Sequence, residues 1–214
     1  MRFNPGMHHR KSIRLTNYDY SQNGLYFITI CTHQRLPLFG EIVDGVMNLN
    51  RAGIMVDKIW REIPEKYSGV IIDEFVIMPN HIHGIVELAN VEAVSGNHRH
   101  DVVVSVVGAA PCGRPINNDH DLLQLGQPQG VAPTVKQNRS MSLPDVAHRF
   151  KSLTTKCYID GIKNNHWPAF NGKLWQRNYY EHIIRNEPAY LKIAEYIQTN
   201  PLKWLDDTYY LPAN

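Results

Sequence analysis

The feature that most constrains the fold of this chain is a Pro-Asn pair, Pro79 and Asn80, that interrupts an apolar stretch. The residues before it, Val70 to Ile77, and those after it, His81 to Leu88, are rich in β-branched and apolar side chains. Proline lacks a backbone N–H and asparagine tolerates turn conformations, so the pair predicts a turn between two strands.

The second of these strands begins with two histidines, His81 and His83. Side chains alternate along a strand, so both imidazoles share one face while Ile82 points to the other. Two imidazoles about 7 Å apart on a rigid strand can bind one divalent ion if a third ligand comes from elsewhere. Such a pair also arises by chance in a chain with eleven histidines, so a metal site needs support from other segments.

Length and composition suit one globular domain. The chain has 214 residues, of which 43% are hydrophobic, enough for a buried core. No apolar run approaches the ~20 residues of a membrane span. The three cysteines, Cys31, Cys112 and Cys157, are widely spaced and lack a CxxC pair. They exclude a disulfide framework or a zinc ribbon and favour a cytoplasmic location.

Positive charge is concentrated in two stretches. Residues 1–40 carry a net charge of +4 and residues 149–185 a net charge of +5. If the fold brings the two together, the resulting face suits a polyanion such as nucleic acid. An ordinary solvated surface explains the same charges equally well.

Periodicity and turn signals predict an α+β fold. The expected elements are a strand over 25–32, a helix over 50–67, the hairpin strands 70–77 and 81–88, a helix over 143–161, a strand over 174–184, and a final helix that begins at Asn186 and ends by Asn200. The first six form the βαββαβ order of ferredoxin-like folds. We therefore predict an antiparallel sheet with helices on one face, plus a C-terminal helix.

Residues 89–142 differ in composition and periodicity from the rest of the chain. They contain no Phe, Tyr or Trp and show little periodicity. We interpret them as an irregular surface loop inserted into a single domain that spans residues 1–214. A functional lid is the alternative interpretation.

The final helix carries Tyr196 at the border of its apolar stripe. Asn200 lies four residues later and therefore on the same flank. A tyrosine at such a border can present its hydroxyl to a cleft, and the asparagine offers a carbonyl oxygen that can act as a ligand. Amphipathic packing alone also explains a tyrosine at this position.

Together these segments closely resemble the single-tyrosine HUH transposases, in particular the REP-associated tyrosine transposases. The resemblance is carried by Tyr26–Thr29, by Val76–Gly84 with its Met-Pro-Asn-His-Ile-His run, by Leu174–Arg185, and by Tyr196–Lys203 with its Tyr-x-x-x-Asn-Pro pattern. It covers nearly the whole chain except residues 89–142.

The resemblance implies roles for four residues. His81 and His83 would bind Mg²⁺ or Mn²⁺, Asn200 would be the third ligand, and Tyr196 would be the nucleophile. The implied activity is metal-dependent cleavage and strand transfer of single-stranded or hairpin DNA through a 5′-phosphotyrosine. The implied assembly is a monomer or a homodimer.

Backbone contacts to DNA are expected from basic side chains in the two positive stretches: Arg10, Lys11, Arg14, Arg149, Lys151, Lys156 and Arg177. Bases would stack on aromatic rings such as Trp175, Tyr179 and Tyr180, although packing in the core is the more common role of such rings. His182 would share a strand face with Tyr180 and line the cleft. Asp73 or Glu74 is an alternative source of a further metal ligand.

Two other functions fit parts of the pattern. A histidine-triad nucleotide hydrolase needs a third histidine where this chain has Ile85, which argues against that class. A module that binds DNA hairpins without cutting them is the remaining alternative, although every position expected for catalysis is present.

Overall fold

A four-stranded antiparallel sheet is the central element of the fold. The structure is a computed structural model and describes residues 18–89 and 141–211. The strands are β1 (Gly24–Cys31), β2 (Gly40–Val43), β3 (Val46–Leu49), β4 (Val70–Met78), β5 (His81–Leu88) and β6 (Tyr180–Ile184). The helices are α1 (Arg51–Arg61), α2 (Ile63–Lys66), α3 (Leu143–Asn165) and α4 (Glu187–Thr199), with short 3₁₀ turns at His33–Arg35 and Pro201–Asp206. In this part of the chain no helix is long and apolar enough to cross a bilayer.

The order of strands in the sheet is β4-β5-β1-β6, and every neighbouring pair is antiparallel. The first and third strands of the βαββαβ unit therefore lie at its centre, which confirms the ferredoxin-like prediction. β2 and β3 form a separate two-stranded ribbon.

The two faces of the sheet are covered by different helices. Tyr26, Ile28 and Ile30 of β1 share a core with side chains of α1 and α3, such as Trp60 and Phe150. The alternate residues of the sheet point the other way, where Phe27, Ile85 and Ile184 pack with Ile197 of α4. The C-terminal helix thus covers the face that α1 and α3 leave open.

Three predicted elements differ from those observed by more than one residue. The helix expected over 143–161 continues to Asn165. The helix expected over 50–67 is interrupted at Glu62, because Pro64 has no N–H to donate to the carbonyl four residues earlier. The strand expected over 174–184 is ordered as β6 only from Tyr180. Upstream, the ammonium of Lys151 binds the backbone carbonyls of residues 176–178, so this segment does not continue the strand.

The insertion predicted at 89–142 has only its end residues within the described ranges. Arg10, Lys11 and Arg14 also lie outside them.

Candidate active site

Strand β5 places both imidazoles on the face covered by α4, as the alternation of side chains predicts. His81 pairs with Cys31 of β1, and His83 pairs with Thr29. Both histidines are almost fully buried. Their Nε2 atoms face each other at 2.9 Å, so one ion can be reached by both.

Hydrogen bonds to the opposite ring nitrogens fix how these imidazoles point. Nδ1 of His81 lies 2.8 Å from Oδ1 of Asn80, and Nδ1 of His83 lies 2.8 Å from the hydroxyl of Thr29. An amide oxygen can only accept, so Nδ1 of His81 carries the proton and Nε2 keeps its lone pair. Partners of this kind set the tautomer of a metal-binding histidine.

Asn80 has a further role beyond ending the hairpin turn. Its amide nitrogen donates to the carbonyl oxygen of Arg35 at 3.1 Å and to that of Tyr209 at 2.8 Å. One buried side chain therefore joins His81 to two loops that are distant in sequence.

The electrostatics of the pair favour neutral imidazoles. Burial lowers the pKa of His81 to about 3, and the charge of Arg35 adds to the effect. Burial also lowers the pKa of His83, as does His81, while Asp207 opposes the shift. Both rings are therefore unprotonated at neutral pH, which is the state that binds a metal ion.

A carboxylate that sequence reasoning did not identify completes the cluster. Oδ2 of Asp207 lies 3.9 Å from Nε2 of His81, and the ligand atoms of His81, His83 and Asp207 all lie within 4.8 Å of one another. This His-His-Asp group could hold a divalent ion. Asp207 follows an irregular turn after α4, where no periodicity predicts the direction of a side chain.

Asn200, the third ligand implied by the resemblance, lies beside this carboxylate. Its amide nitrogen donates to Oδ2 of Asp207 at 2.9 Å. Its Oδ1 is buried and has no hydrogen-bond partner, which is costly unless something satisfies it. A cation bound here would satisfy that oxygen, so the donor set fits a metal ion. Asp73, the earlier alternative, instead forms a hydrogen bond with the hydroxyl of Tyr190.

Tyr196 reaches the same cluster from α4. Its hydroxyl oxygen lies 3.1 Å from Nε2 of His83, while 40% of its surface stays exposed. Burial raises its pKa to about 12, with smaller contributions from Asp207 and Tyr209, and a hydrogen bond with Asn200 opposes the shift. The phenol is therefore protonated at neutral pH and must lose that proton to act as a nucleophile.

Phe27 holds the tyrosine and the histidine together. Its ring stacks on that of His83 at 5.4 Å and meets that of Tyr196 edge-on at 6.1 Å. It also meets the ring of Tyr180 edge-on at 6.2 Å. An aromatic surface therefore runs from the site to the edge strand β6.

The structure does not bring the basic residues of α3 to this cluster. Arg149 and Lys156 are exposed on a helix that packs against the opposite face of the sheet, and the guanidinium of Arg149 lies over the ring of Tyr67. Arg177 is also exposed. Lys151 has a structural role, because its ammonium binds three backbone carbonyls and lies over the ring of Tyr179.

Of the aromatic residues expected to stack on bases, only one is exposed. Trp175 and Tyr179 belong to the buried core, whereas half of the surface of Tyr180 is accessible. His182 is exposed two residues later and pairs with Phe27 in the sheet.

This chain is similar to two proteins of Haemophilus influenzae over most of its length. It is 40% identical over 213 residues to an uncharacterized protein of Haemophilus influenzae, with 98% of both chains aligned. A protein of the same organism assigned to the REP-associated tyrosine transposases is 22% identical over 191 residues, which are 88% of this chain and 77% of that protein. No family model matches the chain.

Two solved structures are also similar to this chain. A REP-associated tyrosine transposase bound to a REP hairpin is 17% identical, with a TM-score of 0.44 and coverage of 90% of this chain and 74% of its own. A protein of Deinococcus radiodurans assigned as a transposase is 15% identical, with a TM-score of 0.39 and coverage of 86% and 95% respectively.

Proposed function

We propose that this chain, which is similar to a protein assigned to the REP-associated tyrosine transposases, cleaves and rejoins single-stranded DNA through Tyr196. The observation that carries the proposal is the 3.1 Å contact between the hydroxyl oxygen of Tyr196 and Nε2 of His83. A buried histidine pair and a partly exposed phenol are in contact on one face of the sheet, which a packing role alone for Tyr196 does not require.

The metal ion in this proposal is Mg²⁺ or Mn²⁺, held by His81, His83 and the side-chain oxygens of Asn200 and Asp207. When bound, a divalent ion supplies positive charge that polarises the scissile phosphate and orients it for attack. Asn80 and Thr29 keep the Nε2 atoms directed at the ligand position.

The reaction is an in-line displacement at phosphorus. The phenolic oxygen of Tyr196 forms a bond to the phosphorus while the bond to the 3′-oxygen breaks, and the proton lost by the phenol is balanced by the one gained by the leaving 3′-oxygen. The product is a 5′-phosphotyrosine and a free 3′-hydroxyl. Attack by a 3′-hydroxyl on this linkage restores a phosphodiester and frees the phenol, so strand transfer needs no external energy source.

The substrate we propose is a DNA hairpin with single-stranded flanks. A solved transposase similar to this chain is bound to a REP hairpin, and the exposed Tyr180 beside Phe27 offers a ring on which an unpaired base can stack.

The test is covalent capture from a library of hairpin oligonucleotides with randomised single-stranded flanks. The protein is incubated with the library and Mn²⁺ and then denatured, and DNA that remains attached is sequenced. We expect a restricted set of flanks in the adduct. Tyr196→Phe should abolish the adduct but retain hairpin binding.

Tyr190→Phe is the matched control, because its hydroxyl is on the same helix but bonds to Asp73. This variant should form the adduct normally. An adduct in the Tyr196→Phe protein excludes Tyr196 as the nucleophile. Binding by wild type without any adduct replaces the proposal with the hairpin-binding module.

A further inference from the structure

The positively charged side chain of Arg35 lies next to the candidate metal site and has no role in the proposed reaction. A guanidinium nitrogen of Arg35 donates to the carbonyl oxygen of Thr208 at 2.8 Å. The guanidinium carbon lies 5.3 Å from the centre of the Tyr209 ring. That ring centre lies 4.7 Å from the centre of the His81 ring. The charge of Arg35 and the proposed metal ligand therefore contact the same tyrosine ring.

The backbone holds Arg35 in this place at a cost. Gln34 and Arg35 both have left-handed conformations, with φ of 57° and 55°, which cost about 1–3 kcal/mol each for residues other than glycine. The carbonyl of Arg35 accepts a hydrogen bond from Asn80, the same side chain that orients His81. Strained residues of this kind concentrate at functional sites.

The positive charge of Arg35 is not balanced by a carboxylate in the part of the chain that the structure describes, since none of the ion pairs found there includes it. Its partners are a neutral carbonyl and the face of a ring, and the bond to Thr208 is exposed to solvent. A guanidinium has five N–H donors, so several remain for a ligand. Its planar fork fits two oxygens of a phosphate.

We propose that Arg35 binds a backbone phosphate of the single-stranded DNA, next to the scissile phosphate. The inference rests on the proposed function and identifies a phosphate site that the metal ligands and Tyr196 do not provide. Arg35 is offset from the ligand nitrogens of His81 by the ring of Tyr209. The phosphate it binds is therefore a neighbour of the one that is cut, and the contact fixes the position of the strand in the cleft.

The first experiment measures binding alone, in a Tyr196→Phe background that cannot form the adduct. Affinity for an oligothymidylate and for a hairpin with single-stranded flanks is measured over a series of salt concentrations. Arg35→Gln should weaken binding several-fold at low salt and make the log–log salt dependence less steep by about 0.7, the value for one phosphate contact on a single strand.

Arg61→Gln is the matched control. Its guanidinium lies 4.5 Å from the centre of the Phe75 ring, but it pairs with Asp57 on α1, which covers the other face of the sheet. This variant should leave the salt dependence unchanged. A wild-type salt dependence in the Arg35→Gln protein would overturn the inference.

The second experiment locates the phosphate. Single phosphates of a hairpin that the Tyr196→Phe protein binds are replaced one at a time by neutral methylphosphonates. A methylphosphonate at one position beside the scissile phosphate should weaken binding to the protein that retains Arg35. The same replacement should leave binding to the Arg35→Gln protein unchanged. Equal losses in both proteins at every position would contradict the inference.

Arg35→Lys covers the case in which Arg35→Gln does not fold. Lysine keeps the positive charge but lacks the planar group that contacts two phosphate oxygens at once. The same methylphosphonate should therefore weaken binding less than it does in wild type, but still measurably. A cost equal to that in wild type would overturn the proposed contact. Because these measurements need no cleavage, they are separate from the capture experiment on Tyr196.

Discussion

The hydroxyl oxygen of Tyr196 lies 3.1 Å from Nε2 of His83, although 113 residues separate the two in sequence. The tyrosine belongs to α4 and the histidine to β5, and Phe27 contacts both rings. The fold thus brings a phenol to a buried imidazole pair on one face of the sheet.

Metal binding can be separated from catalysis. Mn²⁺ should raise the melting temperature of wild-type protein, by a stabilisation of about 2.7 kcal/mol at one hundred times its dissociation constant. Asp207→Asn should weaken Mn²⁺ binding at least about tenfold, because it removes the negative charge of the cluster. Asp206→Asn is the control, since the neighbouring Asp206 is exposed and outside the cluster. An unchanged response in Asp207→Asn would leave Asn200 as the oxygen ligand.

Asn80→Ala should affect both stability and metal affinity. It removes hydrogen bonds to the backbone carbonyls of Arg35 and Tyr209 and the acceptor of His81. We expect a loss of about 2–4 kcal/mol in the free energy of unfolding and a 10–100-fold loss of metal affinity. Both are measured by denaturant titration with and without Mn²⁺.

Asn50→Ala provides the comparison for Asn80. Asn50 caps the N-terminus of α1 by accepting from the backbone N–H of Gly53. Its loss should cost about 1 kcal/mol without changing the affinity for Mn²⁺. If both variants lose metal affinity equally, Asn80 acts only through general stability.

Thr29 provides a smaller perturbation of the same kind. Thr29→Val keeps the shape but removes the hydroxyl that bonds to Nδ1 of His83, and should lower Mn²⁺ affinity about tenfold or more. Thr29→Ser retains the hydroxyl and should stay near wild type in isothermal titration. Equal affinity of the valine and serine variants would show that this bond does not orient His83.

The buried histidines predict acid sensitivity of the metal-free protein. Folding lowers the pKa of His81 and of His83 below the ordinary value of 6.5. Below pH 6.5 the unfolded chain therefore binds protons that the folded chain does not, so the free energy of unfolding falls as the pH falls. Each histidine contributes up to about 1.4 kcal/mol per pH unit.

Urea unfolding in the presence of EDTA checks this prediction. Between pH 7 and pH 5.5, protonation of the two histidines in the unfolded chain should lower the free energy of unfolding by about 2–3 kcal/mol. A double His81→Asn, His83→Asn protein should lose less over the same interval. Replacing the exposed His148 and His182 by glutamine should not reduce the loss. If the double variant and wild type have the same pH dependence, the lowered pKa values of His81 and His83 are contradicted.

Much of the site follows from local periodicity. A period of two places His81 and His83 on one face, and a period of 3.6 places Tyr196 and Asn200 on one flank of α4. Both patterns are properties of short segments and survive folding. The strand order also follows, because the βαββαβ sequence leaves few arrangements.

What sequence could not predict depends on irregular or long-range structure. Asp207 enters the site from a turn in which no period specifies the direction of side chains. The positive charge of Arg149 and Lys156 shows that these residues face solvent, but not which face of the sheet their helix covers. The strand expected over 174–184 was too long because Trp175 and Tyr179 fill the core from an irregular segment rather than from a strand.

In this structure β5 and α4 of the same chain supply the histidines and the tyrosine. One chain would then contain the whole proposed site, even if two copies associate on DNA. A mixture of His83→Ala and Tyr196→Phe proteins should therefore regain no adduct, whereas copies that exchanged α4 would complement each other. A defect in one copy would consequently leave the proposed site of an associated copy intact.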